Sequence, residues 1–173
     1  MTLTRREFLG AGGGFAALAL SSLAVWAGDI VDIAMKGRDD GSHVWFDPIG
    51  VLIKPGQTVR WTNLNLGNSH TTTAYGPKNF GRPLRMPKAA RPWASDYLLP
   101  NETFSVAFTE PGVYDYFCIP HEHAGMVGRI IVGEPVTNGW TQLDGANGDL
   151  PEEALKAFPT VDEIMAKGIV RAA

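Results

Sequence analysis

From Tyr116 to Met126 the chain reads Tyr-Phe-Cys-Ile-Pro-His-Glu-His-Ala-Gly-Met, so the nine positions from Cys118 onward hold one Cys, two His and one Met. All are soft or borderline metal-ligating side chains. Cys118 is the only cysteine among 173 residues and has no intramolecular disulfide partner. A strand ending at Cys118, a turn forced by Pro120 and a return to Met126 would bring Cys118, His121 and Met126 to one point. Gly125 gives the backbone freedom just before Met126. His123 lies two residues from His121 and faces the other way in an extended loop. A four-ligand site then needs a histidine from elsewhere, and the fold must deliver it.

The rest of the chain offers a frame. From Asp29 to Val132 short runs of strand character alternate with turns: Asp29–Met35, Val44–Phe46, Val51–Ile53, Thr58–Asn63, His70–Tyr75, Glu102–Phe108, Val113–Cys118 and Met126–Val132. Lys54-Pro55-Gly56-Gln57 and Glu110-Pro111-Gly112 are turns with a mechanism, because Pro presets φ and Gly accepts a positive one. Phe104, Val106 and Phe108 alternate onto one face. Twenty Gly and twelve Pro accord with this density of turns. The pattern predicts a β-sandwich or barrel and excludes a βαβ protein. After Glu134-Pro135, Asn138–Asp149 is polar and Gly-rich. Pro151–Phe158 and Thr160–Lys167 then read as two short helices, with a capping box at Thr160/Glu163 and a terminating Gly168. Their apolar side, Leu155, Phe158, Val161, Ile164 and Met165, is expected to pack on the sandwich.

Two segments speak of location and partners. Thr4-Arg5-Arg6-Glu7-Phe8-Leu9 resembles a twin-arginine motif, and the apolar run from Gly10 to Trp26 ends in small residues around Ala27. Residues 1–27 are therefore expected to be a twin-arginine-type signal for export to the periplasm, with an uncleaved membrane tether as the alternative. Gly76–Pro100 is Pro-rich and excludes a central strand or long helix. Between Asp47 and Asp96 there is no acidic residue, while Lys54, Arg60, Lys78, Arg82, Arg85, Lys88 and Arg91 are basic. This stretch is either a solvated loop or a positive surface that speeds encounter with an acidic partner. A net charge of −3 gives no reason to expect nucleic-acid binding.

Among His43, His70 and His123, His70 is the best candidate for the missing ligand. It opens a β-branched segment after the turn-rich Asn65-Leu-Gly-Asn-Ser69, whereas His43 has no supporting context and His123 faces outward. One Cys, two His and a weak Met form the ligand set of a blue-copper electron-transfer site.

Tyr116-x-Cys118-x-Pro120-His121-x4-Met126-Val127-Gly128, with a histidine at an upstream strand start, resembles the plastocyanin/pseudoazurin family of cupredoxins over about Asp29 to Gly133. The helical pair after the last strand is closer to pseudoazurins. The resemblance implies an all-β, Greek-key cupredoxin sandwich of about eight strands over residues 28–134, with residues 135–173 a short helical extension. It implies one type 1 copper cycling between Cu(I) and Cu(II), with His70, Cys118 and His121 equatorial and Met126 weakly axial. It further implies an electron carrier with the His121 ring edge as the electron's exit; a mobile monomer is expected, its partners a c-type cytochrome or a terminal reductase or oxidase, docking around His121 and the basic loop of Lys78, Arg82, Arg85, Lys88 and Arg91.

Three departures from the family stand out. Thr71 replaces the usual Asn, keeping a backbone N–H for the Cys118 sulfur while the side-chain bonding is expected to be lost. The Tyr75–Leu99 stretch is longer. Glu122 and His123 add polar groups where the family presents an apolar face. With four protein ligands the metal has no open position for substrate, which argues for a carrier and against an enzyme. The alternatives are a copper-delivery protein, or a mononuclear copper enzyme in which Met126 does not ligate.

Overall fold

The strands follow the alternation of the sequence closely where one face meets solvent. The computed structural model describes residues 30–134 and 150–172, so the expected signal at 1–27 and the polar segment 138–149 lie outside the described residues. Among the described residues there are nine strands: β1 (Ile30–Gly37), β2 (Val44–Asp47), β3 (Gly50–Ile53), β4 (Thr58–Asn63), β5 (Thr73–Ala74), β6 (Thr103–Ala107), β7 (Gly112–Phe117), β8 (Val127–Val132) and β9 (Ile169–Val170). They form two sheets, β2-β1-β4-β6 and β5-β7-β8-β3-β9. The β1–β4 and β3–β8 pairs are parallel and the others antiparallel.

β4 shows the logic in its simplest form. Val59, Trp61 and Asn63 point inward and are buried, while Thr58, Arg60 and Thr62 are half-covered. One-residue slippage would exchange these sets, so burial fixes the register. The space between the sheets is filled by Ile33, Met35, Phe46, Val59, Trp61, Trp93, Phe108, Tyr116 and Ile130, joined by Cys118 and Met126. Trp61 stands edge-on to Tyr116 with ring centres 5.3 Å apart, and Phe46 meets the same tyrosine at 4.7 Å. Gly128, opposite Tyr116 on β8, has no room for a Cβ against that ring.

β7 and β8 are buried along their whole length, without alternation. Their outer face is covered by the C-terminal segment, α1 (Glu152–Ala157) and α2 (Val161–Lys167). α2 starts at Thr160, whose hydroxyl accepts the Glu163 N–H (3.1 Å), and ends at Gly168 with φ 72°. Ile164 of α2 packs with Ile49, Val113, Ile131 and Val170. Burying a side chain of that size stabilises by about 1.5–3 kcal/mol. Ala154 of α1 packs with Tyr75, Phe117 and Val127, joined by Leu155 and Phe158. The helical pair thus lies against the sandwich through these contacts.

Two expectations need correction. The segment His70–Tyr75 is not a continuous strand: only Thr73–Ala74 pairs with β7, and His70 makes an isolated bridge to Leu98. The Thr71 and Thr72 amides go to side-chain acceptors, Cys118 Sγ and Ser95 Oγ, so no ladder can run through them. Beyond the helices, Ile169–Val170 adds a strand to the edge of β3 that the sequence did not announce.

Candidate metal centre

Cys118 follows the end of β7, where its N–H donates to the Met126 carbonyl (3.0 Å). Pro120 then opens a short 3₁₀ turn, Ile119–Ala124, closed by Gly125 in the left-handed region at φ 79°. The Met126 N–H returns to the His121 carbonyl (3.1 Å). These bonds fold the nine residues back on themselves and set Cys118, His121 and Met126 at one end of the sandwich. His70 arrives from the other side, its backbone held in both directions by Leu98 (3.2 and 2.8 Å).

Three ligand atoms converge. His70 Nδ1 lies 3.2 Å from His121 Nδ1, His121 Nδ1 lies 3.4 Å from Cys118 Sγ, and Cys118 Sγ lies 3.7 Å from His70 Nδ1. A point equidistant from all three is about 2 Å from each, close to the about 2.0–2.3 Å that zinc-sized ions keep to imidazole nitrogen and thiolate sulfur. Among the described residues this is the one group of three or more His, Cys, Asp or Glu side chains placed to share an ion. Met126 is fully buried in the same core cluster as Cys118. His43 is exposed and stacked on Trp45 (5.0 Å), outside the group, and His123 is exposed as expected.

The surroundings prepare these atoms for a cation. The Asn65 Oδ1 can only accept, so His70 donates through Nε2 (3.0 Å) and keeps a lone pair on Nδ1. Asn65 is itself oriented by the Asn63 side chain, which accepts its N–H (2.9 Å), and Gly37 leaves no room for a side chain beside it. Burial lowers His70 to about 4, helped by the neighbouring His121, and burial lowers His121 too. Both rings are therefore neutral near pH 7. Burial pushes the Cys118 thiol up to about 11 against the opposing effect of hydrogen bonds from Thr71. A metal would have to displace that proton, which makes binding favour higher pH.

Thr71 departs from the expectation set for it. Its N–H donates to Cys118 Sγ (3.3 Å) as foreseen, but its side chain is not lost to the site. Oγ1 accepts the N–H of Ile119 (2.8 Å), the first residue of the ligand turn. Thr and Asn both carry an oxygen acceptor, and here the shorter side chain reaches.

Glu122 is also corrected. It adds nothing polar to the surface: it is 1% exposed, and turns inward to accept from Tyr75 Oη (2.8 Å) and from Arg82. Burial, with the adjacent Glu122 carboxylate, raises the Tyr75 phenol above its ordinary range, so it stays a donor. Arg85 leaves the expected basic surface as well. At 3% exposure it faces Asp115, which it meets at 2.7 Å, and Arg129 shares that carboxylate from β8 at 2.7 Å. A guanidinium buried against its counter-ion is not available for docking. Lys78, Lys88 and Arg91 are exposed.

The sequence reading missed Asn65, the Thr71 hydroxyl and the inward Glu122. Alternating Asn63-Leu64-Asn65-Leu66 at a strand exit was the available signal for the first. Glu122 carried none, because its partners lie 40 and 47 positions away.

Residues 32–133 match the family of copper binding proteins described as plastocyanin/azurin. A chloroplastic plastocyanin of Oryza sativa subsp. indica is 33% identical over 132 residues, covering 76% of this chain and 82% of that protein. A plastocyanin of Scenedesmus fuscus is 40% identical over 106 residues, covering 58% of this chain and 99% of that one. Among solved structures, a pseudoazurin from a Sinorhizobium superposes with a TM-score of 0.56 at 27% identity, over 80% of this chain and 94% of its own. A copper-compatible His–Cys–His group at the end of a two-sheet sandwich agrees with these matches, and the chain belongs to the plastocyanin/azurin family of cupredoxins, which are one-copper electron-transfer proteins.

Proposed function

We propose that this chain is an exported, monomeric, mobile carrier of single electrons, with His70, Cys118 and His121 as the principal copper ligands and Met126 as the weak fourth. The observation that carries this is the convergence of two imidazole Nδ1 atoms and one thiol sulfur, 3.2–3.7 Å apart. Copper held there supplies a one-electron Cu(I)/Cu(II) couple in a ligand set that suits both states.

The chain's own residues do the rest. Cys118 is fully buried and its sulfur accepts the Thr71 N–H. His70 is locked by Asn65, and the surrounding core keeps water from the sulfur. A site walled in this way supports electron transfer over substrate turnover. His121 is the half-exposed member of the group, and its ring is the natural exit for an electron. Exposed Leu64 and Leu66 flank Asn65, which holds His70, and exposed Leu99 follows Leu98, which pairs with it. With Glu122 turned inward, that end is more apolar than the sequence suggested. Partners such as a c-type cytochrome or a terminal reductase would dock there in weak, short-lived complexes. Lys78, Lys88 and Arg91 would steer an acidic one. The twin-arginine-like leader supports export.

The test is direct. The purified protein is given Cu(II), and its visible and EPR spectra are recorded beside those of Cys118→Ser. An intense thiolate-to-copper band, absent in the variant, is expected. Its absence from the unaltered protein would overturn the assignment.

A further inference from the structure

A buried carboxylate is costly unless fully partnered, and a ligand-bearing turn is an odd place for one. Glu122 follows His121 directly. Its two oxygens are held separately, Oε1 by the Tyr75 hydroxyl (2.8 Å) and Oε2 by the Arg82 guanidinium. Neither holder belongs to the turn. Both are themselves fixed to β7, the strand that leads into Cys118. The Tyr75 N–H donates to the Asp115 carbonyl (3.0 Å), and its ring lies against Phe117 with centres 4.5 Å apart. The Arg82 guanidinium sits over the same Phe117 ring at 5.7 Å.

A closed circuit results: from Cys118 back along Phe117 and Asp115, across to Tyr75 and Arg82, through Glu122, and on to His121. Within the turn, the His121 N–H donates to the Cys118 carbonyl (3.1 Å), and the His121 ring meets the Cys118 sulfur only at the ligand atoms themselves (3.4 Å). The circuit adds a second, side-chain connection between the two ligands, made where low exposure strengthens each charged hydrogen bond. α1 backs it, with the Glu153 carbonyl 3.2 Å from where a Cβ on Gly125 would sit, and Phe158 edge-on to Tyr75 at 6.0 Å.

We infer that Glu122, gripped by Tyr75 and Arg82, is a positioning residue that fixes the direction of the His121 ring relative to the Cys118 sulfur. The inference rests on the copper site proposed above. It explains why a loop rich in prolines, Gly76–Pro92, sends a basic residue inward to the ligand turn. His123, one position further and exposed, has no share in the circuit.

The experiment compares Glu122→Gln, Arg82→Gln, Tyr75→Phe and His123→Ala with the unaltered protein, all loaded with Cu(II). Three readouts are taken: the relative intensities of the visible thiolate-to-copper bands, the EPR hyperfine splitting, and the rate of copper loss to a chelator. Thermal unfolding of the metal-free proteins is measured alongside. Glu122→Gln and Arg82→Gln are expected to change the spectra and to weaken copper retention by about 10–100-fold, the range for partners that orient a metal-bound histidine. His123→Ala should match the unaltered protein. Glu122→Gln combined with Arg82→Gln should be little worse than Glu122→Gln alone, because both changes break one connection. Spectra and copper loss unchanged in Glu122→Gln and Arg82→Gln, with only the unfolding temperature lowered, would reduce the circuit to scaffolding and overturn the inference. If Glu122→Gln fails to fold, Tyr75→Phe decides, since it removes one hydroxyl: unaltered spectra would overturn it, altered spectra support it. No thiolate-to-copper band in the unaltered protein would instead defeat the copper site itself.

Discussion

Replacing Asp115 by Asn should be among the most damaging single changes to this protein, although it alters no ligand and almost no volume. Asp115 is fully buried in β7 and serves two guanidiniums at once. Arg129 reaches it through Nε (2.7 Å) and Nη2 (3.0 Å), and Arg85 through Nε (2.9 Å) and Nη2 (2.7 Å). The Phe158 ring lies 5.2 and 5.1 Å from the two guanidinium carbons, so the C-terminal segment closes over the triad. Arg129 also donates to the Pro159 carbonyl (2.7 Å). Two guanidiniums share this one carboxylate in a site largely shut from water.

At a charge separation of about 4 Å and an effective dielectric of about 20, each attraction is worth about 4 kcal/mol before desolvation is counted. Asp115→Asn removes both attractions and leaves two like charges side by side. Breaking a buried pair in this way costs about 3–5 kcal/mol. Arg85→Met is different: it leaves a balanced Asp115–Arg129 pair, and should cost about 1–3 kcal/mol. The assay is urea denaturation of the metal-free protein followed by tryptophan fluorescence, with Trp61 and Trp93 in the core as reporters. A loss of about 4 kcal/mol on a slope of about 2 kcal/mol per molar lowers the midpoint by about 2 M. The ordering matters more than the size. If Arg85→Met proves as costly as Asp115→Asn, the shared carboxylate does not govern the site and the reasoning is wrong.

Other expected outcomes follow from the same geometry. Thr71→Val leaves the half-buried Ile119 N–H without its acceptor and should cost about 1 kcal/mol by denaturation. The thiolate-to-copper band should persist, since the Thr71 backbone N–H still donates to the sulfur. For Asp47, burial pushes the carboxyl up, but hydrogen bonds from Lys36 and Arg171 outweigh it and hold the group below its ordinary value. A depressed folded-state value means stability that is present above about pH 4 and lost as pH falls through the folded value. The gap between the unaltered protein and Asp47→Asn should therefore narrow in acid, and a gap constant with pH would refute the pairing. Charge reversal at Lys78, Lys88 and Arg91 should slow electron transfer to an acidic partner at low salt and converge with the unaltered rate at high salt. Arg85→Glu should instead destabilise the fold.

Local rules made much of this legible. Thr58–Asn63 alternates cleanly and forms β4 with those bounds, because one face meets solvent and the other the core. The ligand loop was readable because Cys118, His121 and Met126 lie close enough for one turn to gather them. Thr160, Glu163 and Gly168 marked the ends of α2, since capping needs specific atoms at specific offsets. What stayed hidden depended on partners far along the chain. His70–Tyr75 has the β-branched residues of a strand, yet its amides answer to Cys118 and Ser95 across the fold. Arg82 and Arg85 looked like surface charge because Glu122 and Asp115 lie 40 and 30 positions away. β9 has two residues, too few for any period to show.

That two-residue strand has a consequence for the protein among its neighbours. β3 carries apolar Val51 and Ile53, and a bare β3 edge would expose amides ready to pair with another chain. The Ile49 N–H is taken by the Val170 carbonyl (2.9 Å) and the Leu52 N–H by the Gly168 carbonyl (2.7 Å). Ile169 and Val170 thus act as a hem. Cut the chain before Gly168 and the sandwich core remains, but the raw edge invites copies to stitch together, so solubility would fail before the metal site does.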